Sequence, residues 1–510
     1  LFSLEMNVYD RIVSAVATRN WDEFIDVLKP KQFPRDEAGI LIDKKILAKV
    51  AELLTAPRDD VPASARIVLT KCLVNSCVEG YKHEPDNAVD ESPRDYSHEP
   101  YRLLSKADDS RDNFSLFPYN GVATWAADYL IKYVQNTHEC SKDEYEILRL
   151  NTQFLCNLVT FACDRDNLPR HLNSDDFKAA IIALTGSDEV PLARAACAYV
   201  HNALNQLPIN YFLEAEICGL AQPLIKANQL GIQSAQESLT FLLKRPDWLR
   251  SVYDNLSMES KLYLLEIIHQ DVRNSVYSGG DKEIAGNLPA EVIRFISERF
   301  RTRSDLILKT VDSYLNSMEP MEITLLLDII CVISSEDSLE CHLLQNDKSL
   351  LINCIFLLKS LHMAGRASEN FFTPLQKLSD IAPSNTQAGS SADENDIQNH
   401  PAFGFKAGLI RAIGNLCHKH KGNQELMRET DAIPLLLDCC NIDARNPLIM
   451  QWTIFALKNL CDDSPENQEV IRSCNKVGVV DNVVLREMGL KLHEGEDGKA
   501  IGILPLPRNK

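Results

Sequence analysis

Apolar residues recur along almost the whole chain at intervals of three and four positions, which is the spacing of a helix with one buried face. Leu262, Leu265 and Ile268 show this spacing within residues 257–271, and residues 321–334 show it again. Sustained alternation of apolar and polar positions, as in a half-buried strand, is nearly absent. The pattern predicts an all-α fold.

Residue types that begin helices stand where these patterns begin. Ser141 precedes Glu144 by three positions, so the serine oxygen can accept from the third helical amide while the glutamate bonds back to the serine amide. Asn446 before Pro447 supplies a capping acceptor and a first-turn residue that needs no amide donor. Both pairs predict the start of a long helix.

Two segments interrupt the helical pattern, and both are poor in large apolar residues. About residues 80–113 contain nine acidic residues, five Lys or Arg and three prolines, and residues 380–403 are rich in Ser, Asn, Asp and Ala. Neither segment can offset its ordering entropy by burying apolar surface. We therefore predict a mobile acidic insertion at 80–113, an N-terminal lobe at 1–379, a flexible linker at 380–403 and a C-terminal lobe at 404–510.

An internal repeat is the strongest pattern in the sequence. Residues 412–417 and 423–428 recur 44 positions later without a gap, and eight of the twelve compared residues are identical. Weaker copies surround Asn157 and Asn202, which are 45 positions apart. Helical units of about 40–47 residues are typical of armadillo and HEAT repeats, which bury their apolar faces only by stacking. The sequence therefore predicts a superhelical solenoid of stacked repeats.

Length and charge narrow the class of protein further. A chain of 510 residues is too long for one core, and 45% apolar residues provide enough material for a large buried interior. The net charge of −19 argues against nucleic acid as the partner. Residues 404–510 carry 14 basic and 14 acidic residues, so the whole deficit lies in residues 1–403. That acidic portion serves solubility or attracts basic partners.

The fifteen cysteines are odd in number and stand mostly inside apolar runs, which is typical of buried thiols in a reducing compartment. The first ten residues lack the pattern of a signal peptide, and no uninterrupted apolar stretch approaches 18 residues. We therefore expect a cytoplasmic protein that does not insert into membranes. The chain starts with Leu1, which leaves open what precedes it.

The repeated residues resemble the armadillo consensus, which combines an Ala-Leu-x-Asn-Leu helix end, a following Asn and a Gly-Ala-Ile-Pro-Leu-Leu entry. The C-terminal lobe is more closely similar to the C-terminal domain of the ataxin-10 family. The residues that carry this similarity are Gly404-Phe405-Lys406, Leu409-Ile410-Arg411, Ile413 to Cys417, Asn423-Gln424, Ile433-Pro434-Leu435, Gln451-Trp452 and Lys458-Asn459-Leu460. The resemblance implies a right-handed solenoid in two lobes. It also implies a non-catalytic cytoplasmic adaptor linked to neuronal survival, neurite outgrowth and cytokinesis.

The resemblance also implies where a partner binds. In armadillo proteins an inner-helix Asn can donate to and accept from the backbone of an extended peptide, while neighbouring side chains give selectivity. The candidate partner-binding residues are Asn75, Asn157, Asn202, Asn415 and Asn459. The alternative interpretation is that these amides bond to neighbouring backbone and only hold the repeats together.

Importins of this superfamily carry a Trp four residues before that Asn, and the Trp forms slots for lysine side chains. The corresponding positions here are Lys71, Gln153, Ala198, Arg411 and Phe455. The missing Trp array argues against recognition of nuclear-import cargo and leaves the ligand class open. A karyopherin-like carrier of basic peptides remains the alternative function.

No sequence motif of an enzyme or a cofactor site is present. The chain lacks a phosphate-binding loop, a nucleophile elbow, a zinc-protease motif and a dinucleotide-binding motif. Residues 417–420 and Cys439-Cys440 lack the paired Cys-x-x-Cys knuckles of a structural zinc site, so we predict no metal and no cofactor. Other proteins or extended peptides are the expected partners. A helical enzyme with an unrecognised site and self-association into a homo-oligomer through an imperfectly capped last repeat stay open.

Overall fold

Helices make up nearly all the regular secondary structure in the described part of the chain. The computed structural model describes residues 7–30, 44–57, 60–77, 119–136, 141–162, 168–277, 288–311, 318–375, 400–474, 490–494 and 501–505. One antiparallel hairpin, β1 (Leu490–Glu494) and β2 (Ile501–Pro505), departs from the all-α prediction, and in its register Leu490 lies opposite Pro505. The predicted acidic insertion at 80–113 lies outside the described residues.

The chain divides into two compact units, Leu1–Leu242 and Leu243–Lys510, called unit 1 and unit 2 below. The helices up to this boundary are α1 (Val8–Ala17), α2 (Trp21–Val27), α3 (Lys44–Thr55), α4 (Ala63–Ser76), α5 (Tyr119–Gln135), α6 (Lys142–Ala162), α7 (Asp175–Thr185), α8 (Val190–Gln206), α9 (Glu214–Gly219), α10 (Ala221–Gln229) and α11 (Gln233–Leu243). A 3-10 helix covers Arg170–Asn173.

The helices of unit 2 are α12 (Trp248–Tyr253), α13 (Met258–Tyr277), α14 (Ala290–Arg303), α15 (Glu319–Ile333), α16 (Leu339–Gln345), α17 (Lys348–Ala367), α18 (Phe405–Cys417), α19 (Lys421–Glu429), α20 (Ala432–Asp438), α21 (Ile449–Cys461) and α22 (Pro465–Ser473). A 3-10 helix, Ser304–Val311, follows α14.

The start of α6 shows the predicted capping arrangement. Glu144 N donates to Ser141 Oγ at 3.3 Å, and Ser141 N donates to the Glu144 carboxylate at 3.0 Å. The start of α21 differs from its prediction, because the helix begins at Ile449 and not directly after Asn446. Asn446 instead accepts from the amide of Ala407 at 3.2 Å and thereby holds the start of α18.

Successive long helices pack side by side in each unit, as stacking of repeats requires. In unit 1 helix α6 lies between α4 and α8, and in unit 2 the sequence of neighbours is α13, α15, α18 and α21. We call these four helices the inner row of unit 2. They bury residues on several faces; in α18, for example, Leu409, Ile410 and Ala412 are fully buried. Other helices of unit 2, among them α14, α16 and α17, pack against the row. The predicted all-α fold of stacked helices is confirmed in each unit.

The predicted linker at 380–403 does not separate the two compact units. Helix α18, which follows it, packs against α15 and α17, which precede it. Two hydrogen bonds also join residues on the two sides. Thr324 Oγ1 donates to the carbonyl of Pro401 at 3.2 Å, and the amide of Ala444 donates to the carbonyl of Leu375 at 2.7 Å. Residues 376–399 lie outside the described residues. The packing boundary therefore lies at Leu242, inside the predicted N-terminal lobe.

Helix α17 is long and apolar enough to cross a membrane by length and composition alone. Half of that apolar window is buried inside the protein, which is typical of the core helix of a folded domain. Leu351, Cys354 and Leu358 provide part of this buried face. Among the described residues, no other helix meets the same two criteria.

Gly414 allows α18 and α21 to approach each other closely. A Cβ atom at this position would lie 2.9 Å from both Cα and Cβ of Ala456. We expect Gly414→Ala to lower the free energy of unfolding by about 1–3 kcal/mol, because overpacking outweighs the roughly 1 kcal/mol that alanine gains over glycine in a helix. Urea denaturation followed by circular dichroism measures the change.

Gly422→Ala is the matched control for this substitution. Gly422 also lies in a helix of unit 2, but the nearest atom to a new Cβ there, Cε1 of His420, is 3.6 Å away. This variant should be neutral or slightly stabilised. A Gly414→Ala protein as stable as the Gly422→Ala protein would contradict the close approach of the two helices.

Candidate functional site

The candidate asparagines of unit 2 lie where successive helices of the inner row meet. Nδ2 of Asn459 donates to the carbonyl of Gly414 at 2.9 Å, and Nδ2 of Asn415 donates to that of Cys331 at 3.3 Å. Asn415 Nδ2 also donates to Ser334 Oγ at 3.1 Å. Each amide thus ties its own helix to the preceding helix of the row.

Asn157 forms the same kind of contact in unit 1. Its Nδ2 donates to the carbonyl of Val74 at 3.2 Å, and its Oδ1 accepts from Nε2 of Gln153 at 3.0 Å. Donor and acceptor are both occupied by the protein itself. In this structure Asn157 holds α6 against α4, as the alternative interpretation expects, and its role in partner binding stays a prediction.

Asn202 and Asn75 are also engaged within unit 1. Nδ2 of Asn202 donates to Thr160 Oγ1 at 2.6 Å and to Cys156 Sγ at 3.2 Å, which joins α8 to α6. Nδ2 of Asn75 donates to the carbonyl of Pro30 at 3.0 Å. The donors of all three unit 1 candidates therefore stabilise the stack of helices, and partner binding by Asn202 and Asn75 stays a prediction.

Asn415 and Asn459 differ from the unit 1 candidates because both line a surface cavity of about 180 Å³. The other lining residues are Ser334, Ser335, Glu336, Asp337, Cys341, His342, Gln345, His418, Lys419 and Phe455. Among the described residues, no donor reaches Oδ1 of either asparagine, although both Nδ2 atoms are engaged. The two amide oxygens are therefore able to accept hydrogen bonds from a ligand.

The cavity brings both signs of charge and one aromatic ring to its rim. Asp337 lies 3.2 Å from Nε2 of His342, and Glu336 precedes it in the segment after α15. Lys419 follows α18, where its backbone adopts φ of 51°. Phe455 is 41% exposed, which is high for a phenylalanine that lines a cavity. A ligand here meets hydrogen-bond acceptors, ionic groups and an apolar surface together.

Helix α15 contains a position equivalent to the candidate asparagines that the sequence repeat does not reveal. Asn459 donates to the carbonyl of Gly414, which is the residue before Asn415. Asn415 donates in the same way to the carbonyl of Cys331, which is the residue before Val332. Val332 is therefore the residue of α15 that corresponds to the two asparagines. The residue four positions before Val332 is Asp328. Because Val332 stands where α18 and α21 have asparagine, the sequence repeat could not show that α15 belongs to the inner row.

The positions preceding these residues form a strip along one side of the inner row. Asp328, Arg411 and Phe455 are each four positions before Val332, Asn415 and Asn459, and Trp452 is one further turn along α21. The Arg411 guanidinium lies over the Trp452 ring at 5.0 Å, and the rings of Trp452 and Phe455 are 6.3 Å apart. We call Asp328, Arg411, Trp452 and Phe455 the inner strip. It continues from the cavity across three helices.

Asp328 is exposed to solvent but lies between the neighbouring helices α13 and α18, which pack on both sides of α15. Partial loss of hydration there raises the pKa of its carboxyl to about 6, although the nearby Arg411 acts to lower it. The carboxyl therefore binds a proton more tightly in the folded protein than in the unfolded chain. As the pH rises from the usual aspartate pKa through about 6, this group makes folding less favourable.

Asp328→Asn should accordingly raise the melting temperature at about pH 7.5 and leave it nearly unchanged at about pH 3, below the usual aspartate pKa, where the wild-type carboxyl is mostly protonated in both states. Differential scanning calorimetry at the two pH values measures the effect. Asp305→Asn, which changes an exposed aspartate elsewhere in unit 2, serves as the control. A larger stabilisation by Asp328→Asn at the lower pH would contradict the raised pKa.

The second half of the sequence repeat forms a separate network that our sequence analysis did not assign. Nδ2 of Asn423 donates to the carbonyls of Gln345 and Leu416 at 2.9 and 2.8 Å. Nδ2 of Asn467, 44 positions later, donates to those of Gln424 and Leu460 at 3.0 and 2.9 Å. Both side chains are fully buried. The sequence could have indicated this network, because the same residue, asparagine, occurs at both positions inside otherwise amphipathic helices.

Buried cysteines and metal-type side chains do not form a reactive centre in the described part of the chain. No group of three or more His, Cys, Asp or Glu side chains there is placed to hold a metal ion. Cys417 is fully buried, and burial raises the pKa of the nearby helix α15 thiol, Cys331, to about 12. A thiol with such a pKa is a poor nucleophile near neutral pH.

Comparison with known proteins agrees with the residues that carry the repeat. A family model for the spinocerebellar ataxia type 10 protein domain matches residues 405–502. Ataxin-10 of Xenopus tropicalis is 37% identical over 259 residues, which cover 50% of this chain and 49% of the frog protein. An ataxin-10 homolog of Dictyostelium discoideum is 44% identical over 95 residues, or 19% of this chain and 16% of that protein.

A solved structure of the karyopherin Kap121p bound to the SUMO protease Ulp1p covers 93% of this chain, and this chain covers 43% of it, at a TM-score of 0.32 and 12% identity. The aligned region spans about half the length of the frog relative. The family-model match includes α18 and α21, two of the helices that line the cavity. The chain is thus similar to ataxin-10 proteins over about half of its length, and its residues 405–502 match the domain described for them.

Proposed function

We propose that the chain is a non-catalytic scaffold that binds an extended segment of a partner protein along the inner row of unit 2. The observation that carries this proposal is the cavity in which Asn415 and Asn459 present unengaged amide oxygens. These two oxygens lie on adjacent helices of one row. A peptide lying across the row can donate backbone amides to them without regard to its sequence.

The inner strip provides the surface beside the cavity on which the same segment would continue. Trp452 and Phe455 offer aromatic area that loses little conformational entropy on binding, and Arg411 adds a charged group. Backbone contacts would supply the grip, and the strip would supply selectivity. Binding of this kind changes no covalent bond, which is the mode of action of an adaptor.

The wider biological roles come from the family and are proposed on that basis. Ataxin-10 resemblance supports a cytoplasmic adaptor that acts in neuronal survival, neurite outgrowth and cytokinesis. The alternative of a karyopherin-like carrier of basic peptides requires lysine slots on the same strip. Arg411 and Phe455 occupy the positions where importins place the tryptophans of those slots, so the strip favours a different ligand.

Selection of extended peptides from a displayed random library against the whole chain tests the proposal. Phe455→Ala should weaken the selected peptides about tenfold, as expected for loss of an aromatic contact at the centre of an interface. Phe356→Ala is the matched control, because Phe356 is 57% exposed on α17 and does not line the cavity. Fluorescence anisotropy with labelled peptides gives the affinities.

Two results would count against this function. Equal losses for Phe455→Ala and Phe356→Ala would place the binding site away from the cavity. Failure to select any peptide, with both proteins folded by circular dichroism, would remove the support for recognition of extended segments.

A further inference from the structure

We infer that the partner segment is acidic and that one of its carboxylates binds Arg411. This inference rests on the proposed function and names the chemistry of the partner at the inner strip. Three observations support it: the contacts of Arg411, the charges near Arg411, and the shape of the hydrogen-bond donors that the guanidinium presents.

Arg411 contacts an aromatic ring but forms no ion pair with a described carboxylate. Its guanidinium lies 5.0 Å from the centre of the Trp452 ring, and its Nε is buried without a hydrogen bond among the described residues. No described carboxylate lies within ion-pair distance of it. By contrast, the half-buried Arg149 and Arg299 each form ion pairs at 2.8 Å, with Glu146 and Glu322. A partly desolvated cation that forms no ion pair among the described residues is able to bind an external anion.

The surroundings of Arg411 favour an anion as well. His269 and Arg273 lie on α13, on the far side of α15 from α18, and the pKa of His269 is lowered by burial and then by the positive charges of Arg273 and Arg411. Asp328 is the acidic group that interacts with Arg411 from α15. Two permanent positive charges, Arg273 and Arg411, therefore act on His269, and one carboxyl, Asp328, interacts with Arg411. Residues 404–510 are neutral overall, so the negative net charge of the chain does not arise from this part of it.

A carboxylate also fits the shape of the group presented. The guanidinium of arginine is planar and offers two parallel N–H donors that match the two oxygens of a carboxylate. Contact with the indole ring limits the positions that this group can take. A lysine side chain of a basic peptide would instead meet a like charge at this position. The strip thus selects against the ligand class of the karyopherin-like alternative.

The probes follow from the dimensions of the inner row. Four adjacent helices with axes about 8–10 Å apart span roughly 24–30 Å, which about nine residues of extended chain cover. Three fluorescein-labelled peptides of this length suffice, in which alanine alternates with glutamate, glutamine or lysine. In an extended peptide every second side chain faces the same way, so each peptide presents one chemistry to the strip.

The whole chain should bind the glutamate peptide more tightly than the glutamine peptide and should bind the lysine peptide least. Arg411→Gln should weaken the glutamate peptide tenfold or more and leave the glutamine peptide unchanged. Asp328→Asn should strengthen the glutamate peptide a few fold, because it removes a competing carboxylate. Arg294→Gln, which removes the same charge from an exposed site on α14, should have no effect on either peptide.

Circular dichroism establishes that each variant is folded, and Arg411→Lys provides a second test that keeps the charge but not the planar donors. Arg411→Lys should retain an intermediate affinity for the glutamate peptide. Unaltered binding of that peptide by Arg411→Gln, or no preference for glutamate over glutamine, would overturn the inference while leaving peptide binding intact. Tight binding of a short single-stranded RNA that depends on Arg411 and exceeds the glutamate peptide would overturn it in favour of nucleic acid. Failure of all three peptides to bind would overturn both the inference and the proposed function.

Discussion

Asn423→Asp should lower the free energy of unfolding by about 3–5 kcal/mol, because it places a carboxylate oxygen against two backbone carbonyls in a fully buried site. In the wild-type protein Nδ2 of Asn423 donates to the carbonyls of Gln345 and Leu416. Aspartate cannot donate to either group unless it is protonated, and burial of the unpaired charge adds to the cost. Urea denaturation followed by circular dichroism measures the loss.

The repeat supplies an internal check on this prediction. Asn467→Asp should cause a loss of similar size, because Asn467 is equally buried and donates to two carbonyls in the same geometry one repeat later. Asn441→Asp is the control, since Asn441 is exposed and makes a single hydrogen bond to the carbonyl of Asp438. Losses of less than 1 kcal/mol for both buried positions, on the order of a surface change, would show that the network does not hold the repeats together.

The sequence repeat could predict the fold, but it could not distinguish the asparagines that line the cavity from those that bind the carbonyls at helix ends. Asn415 with Asn459, and Asn423 with Asn467, are identical pairs at the same offset of 44 positions. A helix leaves its last carbonyls unsatisfied, and a buried helix end needs donors for them. The Asn423 pair meets that need through Leu416 and its counterpart, which only the packing of α19 onto the end of α18 reveals.

The differences within the repeat carry as much information as the identities. Four of the twelve compared pairs differ, and three of these are apolar at both positions. The fourth is Gly414 with Lys458. Gly414 is buried where α21 packs against α18, whereas Lys458 is exposed. The change from glycine to lysine is explained by this loss of a neighbouring helix in the described part of the chain. Sequence alone gives the mismatch but not its cause.

Composition predicted a division of the chain at residues 380–403, but the two compact units divide after Leu242. Residues 380–403 have the composition of a linker, and the helices on either side nevertheless pack directly against each other. A polar segment can leave and re-enter one stack of helices, because loop length adds little to the entropy of closing it. The boundary at Leu242 has no comparable polar segment beside it. Packing, and not composition, therefore determines the division.

The inner strip could not be predicted from the sequence repeat alone, because the repeat does not place Asp328 or Trp452 in it. The repeat identifies Arg411 and Phe455 as equivalent, but it does not bring Trp452 to Arg411, because the two residues occupy different turns of their helices. Their contact depends on the offset between α18 and α21. That offset is set by buried residues such as Gly414 and Ala456. The chemistry of the strip is thus a product of core packing.

Glu322→Leu should also destabilise unit 2 strongly, by about 3–5 kcal/mol, because it leaves the partner of a buried ion pair without its main counter-charge. Glu322 is fully buried on α15, and its Oε1 accepts from Nε of Arg299 at 2.8 Å and from the Tyr253 hydroxyl at 2.9 Å. Burial and the adjacent carboxylate raise the pKa of Tyr253, so the phenol stays protonated and remains the donor. Calorimetry or urea denaturation measures the change.

The double variant Glu322→Leu/Arg299→Met separates the cost of an unpaired charge from the loss of packing. It should recover a substantial part of the stability, because a pair of apolar residues needs no ionic partner. The exposed pair Arg250 and Glu298, 2.7 Å apart, provides the control, and Glu298→Ala should cost less than about 1 kcal/mol. If the double variant is no more stable than Glu322→Leu alone, the loss comes from the shape of the site. The two side chains would then stabilise the protein mainly by filling the space between α14 and α15. The unpaired charge on Arg299 would contribute little to the free energy lost in Glu322→Leu.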